Sequence, residues 1–407
     1  MFCLCNHDNP GRSLIGRAGI LLLLLYASSL FAEPSIDNQD AEAWLVTYGP
    51  GEIYWQRFGH NAIWIRDREL GLDHVFNFGF FDFEQENFLL RFLQGRMLYF
   101  SAARPAREEF AGYINENRSI RAQRLDMSAD QVYRLSRFLL DEVRPENRDY
   151  LYDYYRNNCS TRVRDAMDFA LGGLLKTQTL PVPAAQNWRD HTRRLTADDF
   201  WLYLGLEMGL GATVDQDINR WDEMFIPAEL AESITAVYIT NAGLVRPLVL
   251  EDVVLYESSF QSPAAFPVAS WFRYLLFSLS VVLAVWLLCR MAPAGTLRAV
   301  SRTWLAIAGV VGCVLLFLWF GTDHLVARFN LNLLVFNPLY IFIAFWKGYG
   351  KIQFSIISGF SALAMLMTIL PPEQYNLDVI AAFLPLNLAA AWSLVRAAGD
   401  PLPAVTA

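Results

Sequence analysis

Hydrophobic positions follow two different patterns along the chain and divide it into two parts. Up to about residue 260, apolar residues alternate with polar ones or recur at helical spacing. After Pro263 and Pro267 they form long runs near 271–289, 303–320, 331–346, 353–370 and 377–395. Each run is close to the roughly 20 residues that cross a bilayer core, although the third is short. The pattern predicts a soluble domain followed by an all-α membrane domain of about five transmembrane helices at 266–400.

The soluble part shows strand and helix patterns in turn. Apolar or alternating stretches predict strands at 43–48, 62–65, 74–80, 98–103, 120–125 and 248–256, and helices are expected at 200–210 and 227–237. Ser128 and Gln131 have the spacing of a capping box before a further helix. The polar residues 176–200 are interpreted as an irregular connection. These elements predict one α+β domain over 33–265, with a sheet packed on helices.

Cys159 stands where another helix is predicted to begin. Val163, Ala166, Met167 and Ala170 recur at i, i+3, i+4 and i+7, and Asn158 is a favourable N-cap residue. A thiol in the first turn lies at the positive end of the helix dipole, which favours the thiolate. The alternative is a cysteine that packs as a small apolar side chain.

The first 32 residues resemble a targeting segment. Arg12 and Arg17 precede the apolar run 20–25, and 30–32 resemble a small-residue cleavage site. Whether this segment is a cleaved signal peptide or an N-terminal anchor, the domain that follows is expected outside the cytoplasm.

A location outside the cytoplasm affects how the cysteines are interpreted. Cys3 and Cys5 belong to the targeting segment, while Cys289 and Cys313 belong to apolar runs, which leaves Cys159 for the exported domain. An unpaired thiol in a disulfide-permissive compartment is exposed to oxidation, which favours a reactive role for it.

Charge supports the same orientation and excludes some functions. The predicted inner loops and tail hold Arg290, Arg298, Arg302, Lys347, Lys351 and Arg396, against Arg328 outside, in agreement with the positive-inside rule. The net charge of −8 argues against a nucleic-acid partner. No zinc-finger spacing, Walker loop or dinucleotide fingerprint is present, so neither a metal nor another cofactor is implied.

A cysteine nucleophile needs a base and usually a group that orients the base. His60 opens a predicted strand and is the candidate base, whereas His191 lies in a polar stretch and is expected at the surface. His74 and Asn77 are both candidates for the orienting group, but they lie on opposite faces of a regular strand, and the sequence does not choose between them. Asp82 is a weaker candidate.

Three stretches resemble a known family. They are Phe58–Ile65 (FGHNAIWI), His74–Gly79 (HVFNFG) and Asn157–Thr161 (NNCST), and they resemble the periplasmic domain of the Lnb-type lipoprotein N-acyltransferases. The resemblance implies a circularly permuted papain-like fold, in which His precedes Cys, with C-terminal membrane helices. It also implies thioester chemistry at Cys159 with His60, while an apolar residue often replaces His74 in the family.

The expected function is therefore acyl transfer in the bacterial inner membrane, with the catalytic domain in the periplasm. The partners would be a phospholipid acyl donor and the N-terminus of a lipoprotein acceptor. Asn158, Thr161 and His324 are candidate substrate-binding residues; His324 lies in an outer loop, 321–332, with Asp323 and Arg328. The alternatives are a membrane-anchored cysteine peptidase or amidase acting on peptidoglycan peptides, and a non-catalytic lipid-binding or assembly protein.

Overall fold

A computed structural model of the protein describes residues 41–68, 71–241, 243–293, 295–346, 350–370 and 373–399. The predicted targeting segment at 1–32, with Cys3 and Cys5, lies outside these residues.

The strands agree with the alternation in the sequence. They are β1 Glu42–Tyr48, β2 His60–Asp67, β3 Leu72–Phe80, β4 Leu98–Pro105, β5 Ile120–Leu125, β6 Asp149–Leu151, β7 Tyr238–Asn241, β8 Leu244–Pro247 and β9 Val249–Tyr256. Seven of them form one antiparallel sheet in the order β6-β4-β3-β2-β1-β5-β9, and β7 pairs with β8 in a separate hairpin.

The helices of the soluble part are α1 Phe88–Gln94, α2 Ala106–Asn115, α3 Ala129–Glu142, α4 Cys159–Ala170, α5 Leu174–Thr179, α6 Trp188–Thr196, α7 Phe200–Gly209, α8 Arg220–Glu223 and α9 Pro227–Thr235. Those of the membrane part are α10 Trp271–Arg290, α11 Thr296–Phe320, α12 Leu339–Phe345, α13 Gly350–Met367 and α14 Leu377–Gly399. Ser128 caps α3 through the predicted reciprocal bonds with Gln131.

The sheet separates two layers of helices. On one face, Ile63, Phe76 and Phe78 pack with the apolar stripe of α4 and with α3 and α9. On the other face, Val46, Ala62 and Val75 pack with α2. The soluble part is thus a mixed α/β domain whose antiparallel sheet is buried on both sides.

The connection expected at 176–200 is in fact largely helical, because it contains α5 and α6. His191, expected at the surface, is fully buried: its Nε2 donates to Glu223 Oε1 at 3.0 Å and its Nδ1 accepts from Arg194 Nε at 3.0 Å. The sequence prediction was wrong here because α6 buries cationic side chains, which a hydropathy pattern assigns to the surface.

Four helices in the described part of the chain are long and apolar enough to cross a membrane, namely α10, α11, α13 and α14. The third predicted run is instead a 3₁₀ turn at Leu331–Leu334 followed by the short α12, which begins after Pro338. Glycines of α11 allow the backbone of this broken segment to pack directly against the helix. At Gly312, for example, a Cβ would lie 1.9 Å from the Phe336 carbonyl oxygen.

A buried ionic network joins the soluble domain to the membrane helices. Arg193 of α6 donates to Glu207 Oε2 at 2.8 Å and to Asp378 Oδ2 at 2.9 Å, at the start of α14. Arg189 donates to Glu207 and to Asp215, at 3.3 and 2.7 Å. Because Arg189, Arg193, Glu207 and Asp378 are buried, their charges depend on these partners, and the network fixes the domain on the helix bundle.

Candidate active site

His60 and Asn77 meet on the α2 face of the sheet. His60 is the first residue of β2, and the register pairs Ala62 with Asn77 of β3, which puts both side chains on the same face. Gly59 has φ +78°, so the chain can turn into β2 directly before the histidine. His60 Nε2 and Asn77 Oδ1 are 2.9 Å apart. Because the amide oxygen only accepts, Nε2 carries the proton and Nδ1 of the neutral ring remains an acceptor.

Cys159 begins α4 and is partly exposed. Asn158 caps the helix: its Oδ1 accepts from Thr161 N at 2.9 Å, and Thr161 Oγ1 accepts from Asn158 N at 2.8 Å. The Asn158 amide also donates to the carbonyl oxygens of Tyr154 and Phe225, each at 2.9 Å. Asn158 and Thr161 are therefore engaged in holding the helix terminus that carries the thiol.

The start of α4 is fastened to the strand that carries His60. Ser160 Oγ donates to Asn61 Oδ1 at 2.8 Å, and the backbone N–H groups of Asn61 and Ser160 approach the Cys159 sulfur. β3 makes room for the thiol at Gly79, where φ is +99° and a Cβ would lie 3.3 Å from the Cβ of Cys159. Cys159 therefore lies at the end of the sheet where β2 begins with His60 and where β3 passes from Asn77 to Gly79.

Burial sets the protonation of this site. It raises the pKa of Cys159 above its ordinary value, although the N–H groups of Asn61 and Ser160 oppose the shift. It lowers the pKa of His60 to about 4, against the opposing effect of the bond to Asn77. The charge of Arg118 lowers both pKa values. The resting pair is therefore a neutral thiol and a neutral imidazole, and the thiolate expected from the helix dipole is outweighed by the loss of solvation.

The side chains behind the histidine hold its ring in place. Tyr48 and Tyr113 stack parallel to the imidazole, with ring centroids 5.8 and 6.3 Å from it. Glu109 of α2 lies beside the side chains of Asn77 and Tyr48, and burial raises the pKa of its carboxyl group. Glu109 is not predicted from the sequence, because nothing near it in the chain resembles a motif.

The other candidates lie elsewhere. His74 pairs with Ile65 across the strands, on the sheet face opposite Asn77, and its buried Nδ1 has no hydrogen-bond partner among the residues that the structure describes. Asp82 accepts from the backbone N–H of Glu84 in an exposed turn. Of the two candidates for the orienting group, the structure brings only Asn77 to His60. Within the described residues, no cluster of three or more His, Cys, Asp or Glu side chains could hold a metal ion.

Comparison with known families identifies both parts of the chain. The model of the Lnb N-terminal periplasmic domain matches residues 31–194, and that of the Lnb transmembrane domain matches residues 260–398. The chain belongs to the Lnb family. No curated protein and no solved structure gives a significant match. Membership indicates a membrane protein concerned with lipoprotein modification, with a periplasmic domain followed by membrane helices.

In this Lnb-family protein, the loop after α11 docks on the soluble domain. Asp323 N donates to Gln94 O at 2.8 Å, and Arg96 Nε donates to Asp323 Oδ2 at 2.6 Å. His324 Nε2 lies 2.9 Å from the carbonyl oxygen of Phe92. His324, expected as a candidate for substrate binding, is therefore in contact with α1 of the soluble domain.

Proposed function

We propose that this protein is a thiol-dependent lipoprotein N-acyltransferase. Cys159 would take an acyl chain from a membrane phospholipid as a thioester and pass it to the N-terminal amine of a diacylated lipoprotein. The observation that carries the proposal is the 2.9 Å bond from His60 Nε2 to Asn77 Oδ1, because it leaves Nδ1 as the proton acceptor in the site that holds the only thiol described in the soluble domain.

In the first half-reaction, His60 Nδ1 takes the proton of the Cys159 thiol as the sulfur attacks the ester carbonyl. The tetrahedral intermediate collapses, and the carbon–oxygen bond of the ester breaks. The leaving alkoxide takes the proton from His60 and departs as a lysophospholipid. Cys159 now carries the acyl chain as a thioester, and His60 is neutral again.

In the second half-reaction, the free amine of the lipoprotein's N-terminal cysteine attacks the thioester. His60 takes a proton from the attacking nitrogen, the carbon–sulfur bond breaks, and the thiolate of Cys159 recovers that proton. The products are an amide and the free enzyme. No metal or other cofactor is required, since every proton and electron pair is accounted for by the thiol, the imidazole and the two substrates.

The start of α4 can stabilise the oxyanion of both intermediates. The first N–H groups of a helix have no partner within it, and those of Cys159 and Ser160 are directed to the sulfur region. The N–H of Asn61 approaches from β2. Fixed donors of this kind stabilise developing negative charge without reorganisation.

We further propose a fold and topology for this reaction. A sheet that carries His60 and Asn77, packed on a helix that begins at Cys159, supports a permuted papain-like domain over 33–265. Residues 1–32 would direct it to the periplasm. The membrane domain at 266–400 would cross the inner membrane five times, because the segment 331–346 passes from Asn332, bonded to Met208 of the soluble domain, to Phe345, beside Arg302.

Two substitutions test the chemistry. Cys159→Ala and His60→Ala should each lower N-acylation by about 100-fold or more, since each removes one member of the same proton-transfer pair. The measurement is mass spectrometry of lipoprotein N-termini from cells that carry each variant, with the amount of membrane-inserted protein determined in parallel. The wild type should also accumulate a hydroxylamine-labile acyl group on Cys159.

Cys289→Ala and Cys313→Ala are the matched controls, because these thiols lie in the membrane helices α10 and α11. They should retain activity. Full N-acylation by Cys159→Ala would refute the mechanism. Cys159-dependent cleavage of peptidoglycan peptides with unmodified lipoproteins would instead assign the site to a hydrolase.

A further inference from the structure

Helix α1 exposes an apolar surface that none of the described residues covers. Its sequence is FLLRFLQ, and Leu89, Leu90, Phe92 and Leu93 are 67, 52, 43 and 47% exposed. No residue of this helix is buried. A surface helix normally packs an apolar stripe on the protein, so α1 needs another apolar phase to cover it.

The position of α1 identifies that phase. The carbonyl oxygens of Phe92 and Gln94, at its C-terminal end, bond to His324 and Asp323. These two residues follow Phe320, the last residue of α11, by only a few positions. Gly95 touches the same loop, because a Cβ there would lie 2.7 Å from the backbone nitrogen of His324. The helix is therefore held at the level where a bilayer-spanning helix ends.

Aromatic residues mark this level as a membrane interface. Trp319 and Phe320 stack at 4.8 Å at the end of α11, and Trp271 and Phe272 begin α10 on the same side. Aromatic side chains, Trp above all, concentrate where the hydrocarbon core of a membrane meets the lipid headgroups. The loop that holds α1 directly follows this aromatic end of α11.

A chain of aromatic rings leads from α1 toward the thiol. Consecutive centroids are 4.1–6.4 Å apart along the series Phe92, Phe88, Phe83, Phe81, Tyr99 and Tyr152. Phe81 lies two residues after Gly79, whose backbone packs against Cys159, since a Cβ on Gly79 would lie 3.3 Å from the Cβ of Cys159. The series is therefore an aromatic path of rings in contact from α1 to the site.

We propose that α1 is immersed in the outer leaflet of the membrane and that the aromatic path admits a phospholipid acyl chain to Cys159. The occupant of the exposed face is the acyl-chain region of the bilayer. The immersion stands on the contacts of α1 alone, whereas the acyl-chain route rests on the proposed acyl transfer. In this arrangement, the donor ester reaches the thiol while the acyl chain stays in an apolar environment.

A cross-linking experiment tests the immersion. The full chain is reconstituted in phosphatidylethanolamine–phosphatidylglycerol nanodiscs with a diazirine amino acid in place of Leu89. The control carries the same group at Leu244, which is 65% exposed in β8, beside the end of the sheet opposite His60. Phospholipid adducts should be at least about tenfold more abundant at position 89 than at 244. Equal yields would overturn the immersion.

A second experiment tests the route of the acyl chain. Leu89→Asp should lower transfer from a long-chain phospholipid at least about tenfold, because a carboxylate opposes insertion of the helix. The reaction of Leu89→Asp with a water-soluble short-chain acyl thioester should remain at the wild-type rate. The control variant Leu244→Asp should keep the wild-type rate with both donors, the long-chain phospholipid and the thioester. An unimpaired Leu89→Asp would overturn the route and leave the proposed function intact. A wild type without acyl transfer would overturn the function and the route together, while the cross-link still decides immersion.

Discussion

Replacing Asn77 with alanine isolates the contribution of the group that orients the base. Asn77 is 1% exposed, and its Oδ1 accepts the 2.9 Å bond from His60. Its removal leaves the Nε2–H of His60 without an acceptor, which costs about 1–3 kcal/mol. The ring can then rotate or change tautomer and present a protonated Nδ1 to the thiol. If this full free-energy cost destabilises the arrangement in which Nδ1 faces the thiol unprotonated, kcat decreases by about 5- to 150-fold.

The assay is the transfer of a labelled acyl chain from phospholipid to a diacylated lipopeptide by the purified full chain in nanodiscs. KM should remain unchanged, because Asn77 is buried behind His60. Asn77→Asp keeps an acceptor and should recover much of the rate. Its carboxylate should also raise the pKa of His60 and move the acid limb of the pH profile to higher pH, an effect that a loss of packing would not produce.

His74→Ala is the matched control, since His74 lies on the same strand but on the opposite face of the sheet. It should remain active, because the buried Nδ1 that it removes has no hydrogen-bond partner. Equal losses in His74→Ala and Asn77→Ala would refute the assignment of the orienting group. An Asn77→Ala variant with wild-type kcat would refute the role of the hydrogen bond itself.

Two further predictions concern pH and topology. Because burial lowers the pKa of His60 to about 4, the base is neutral above that pH, and kcat/KM should fall only as the pH approaches 4; a half-loss near pH 6.5 would contradict this. Reporter fusions at Ala407 and near residue 325 should report the cytoplasm and the periplasm respectively, and reporters on the same side would exclude five crossings.

The sequence predicted most accurately the elements that depend on local patterns. In β1 and β5 the residues are apolar or alternate between apolar and polar, and turn signals bound both strands. The capping box of α3 joins residues only three positions apart. Helix α6 escaped detection because its buried residues include Arg189, His191 and Arg193, which are stabilised by partners remote in sequence. No local pattern reveals such partners.

The candidate site shows the same division. The helix that begins at Cys159 could be predicted because its stripe and its cap are adjacent in sequence. The choice between His74 and Asn77 required the register between β2 and β3, which depends on long-range pairing. The raised pKa of Cys159 likewise depends on the side chains and strands that enclose it, which the position of the thiol at the start of a helix does not reveal.

If the proposed acyl transfer is correct, the attachments between the two domains explain how a neutral thiol could attack a lipid ester. The soluble domain is held at one point by the loop that contacts α1 and at another by the bonds from Arg193 to Glu207 and Asp378. Attachments at several separate points prevent the rotation that a single linker would permit. The thiol is thereby kept at one height beside the membrane surface. Holding reactants in register can replace a large part of the activation free energy, so a fixed site needs less intrinsic reactivity from its sulfur. A thiol that ionises only during attack is also protected from oxidation in the periplasm, because the thiolate is the reactive form.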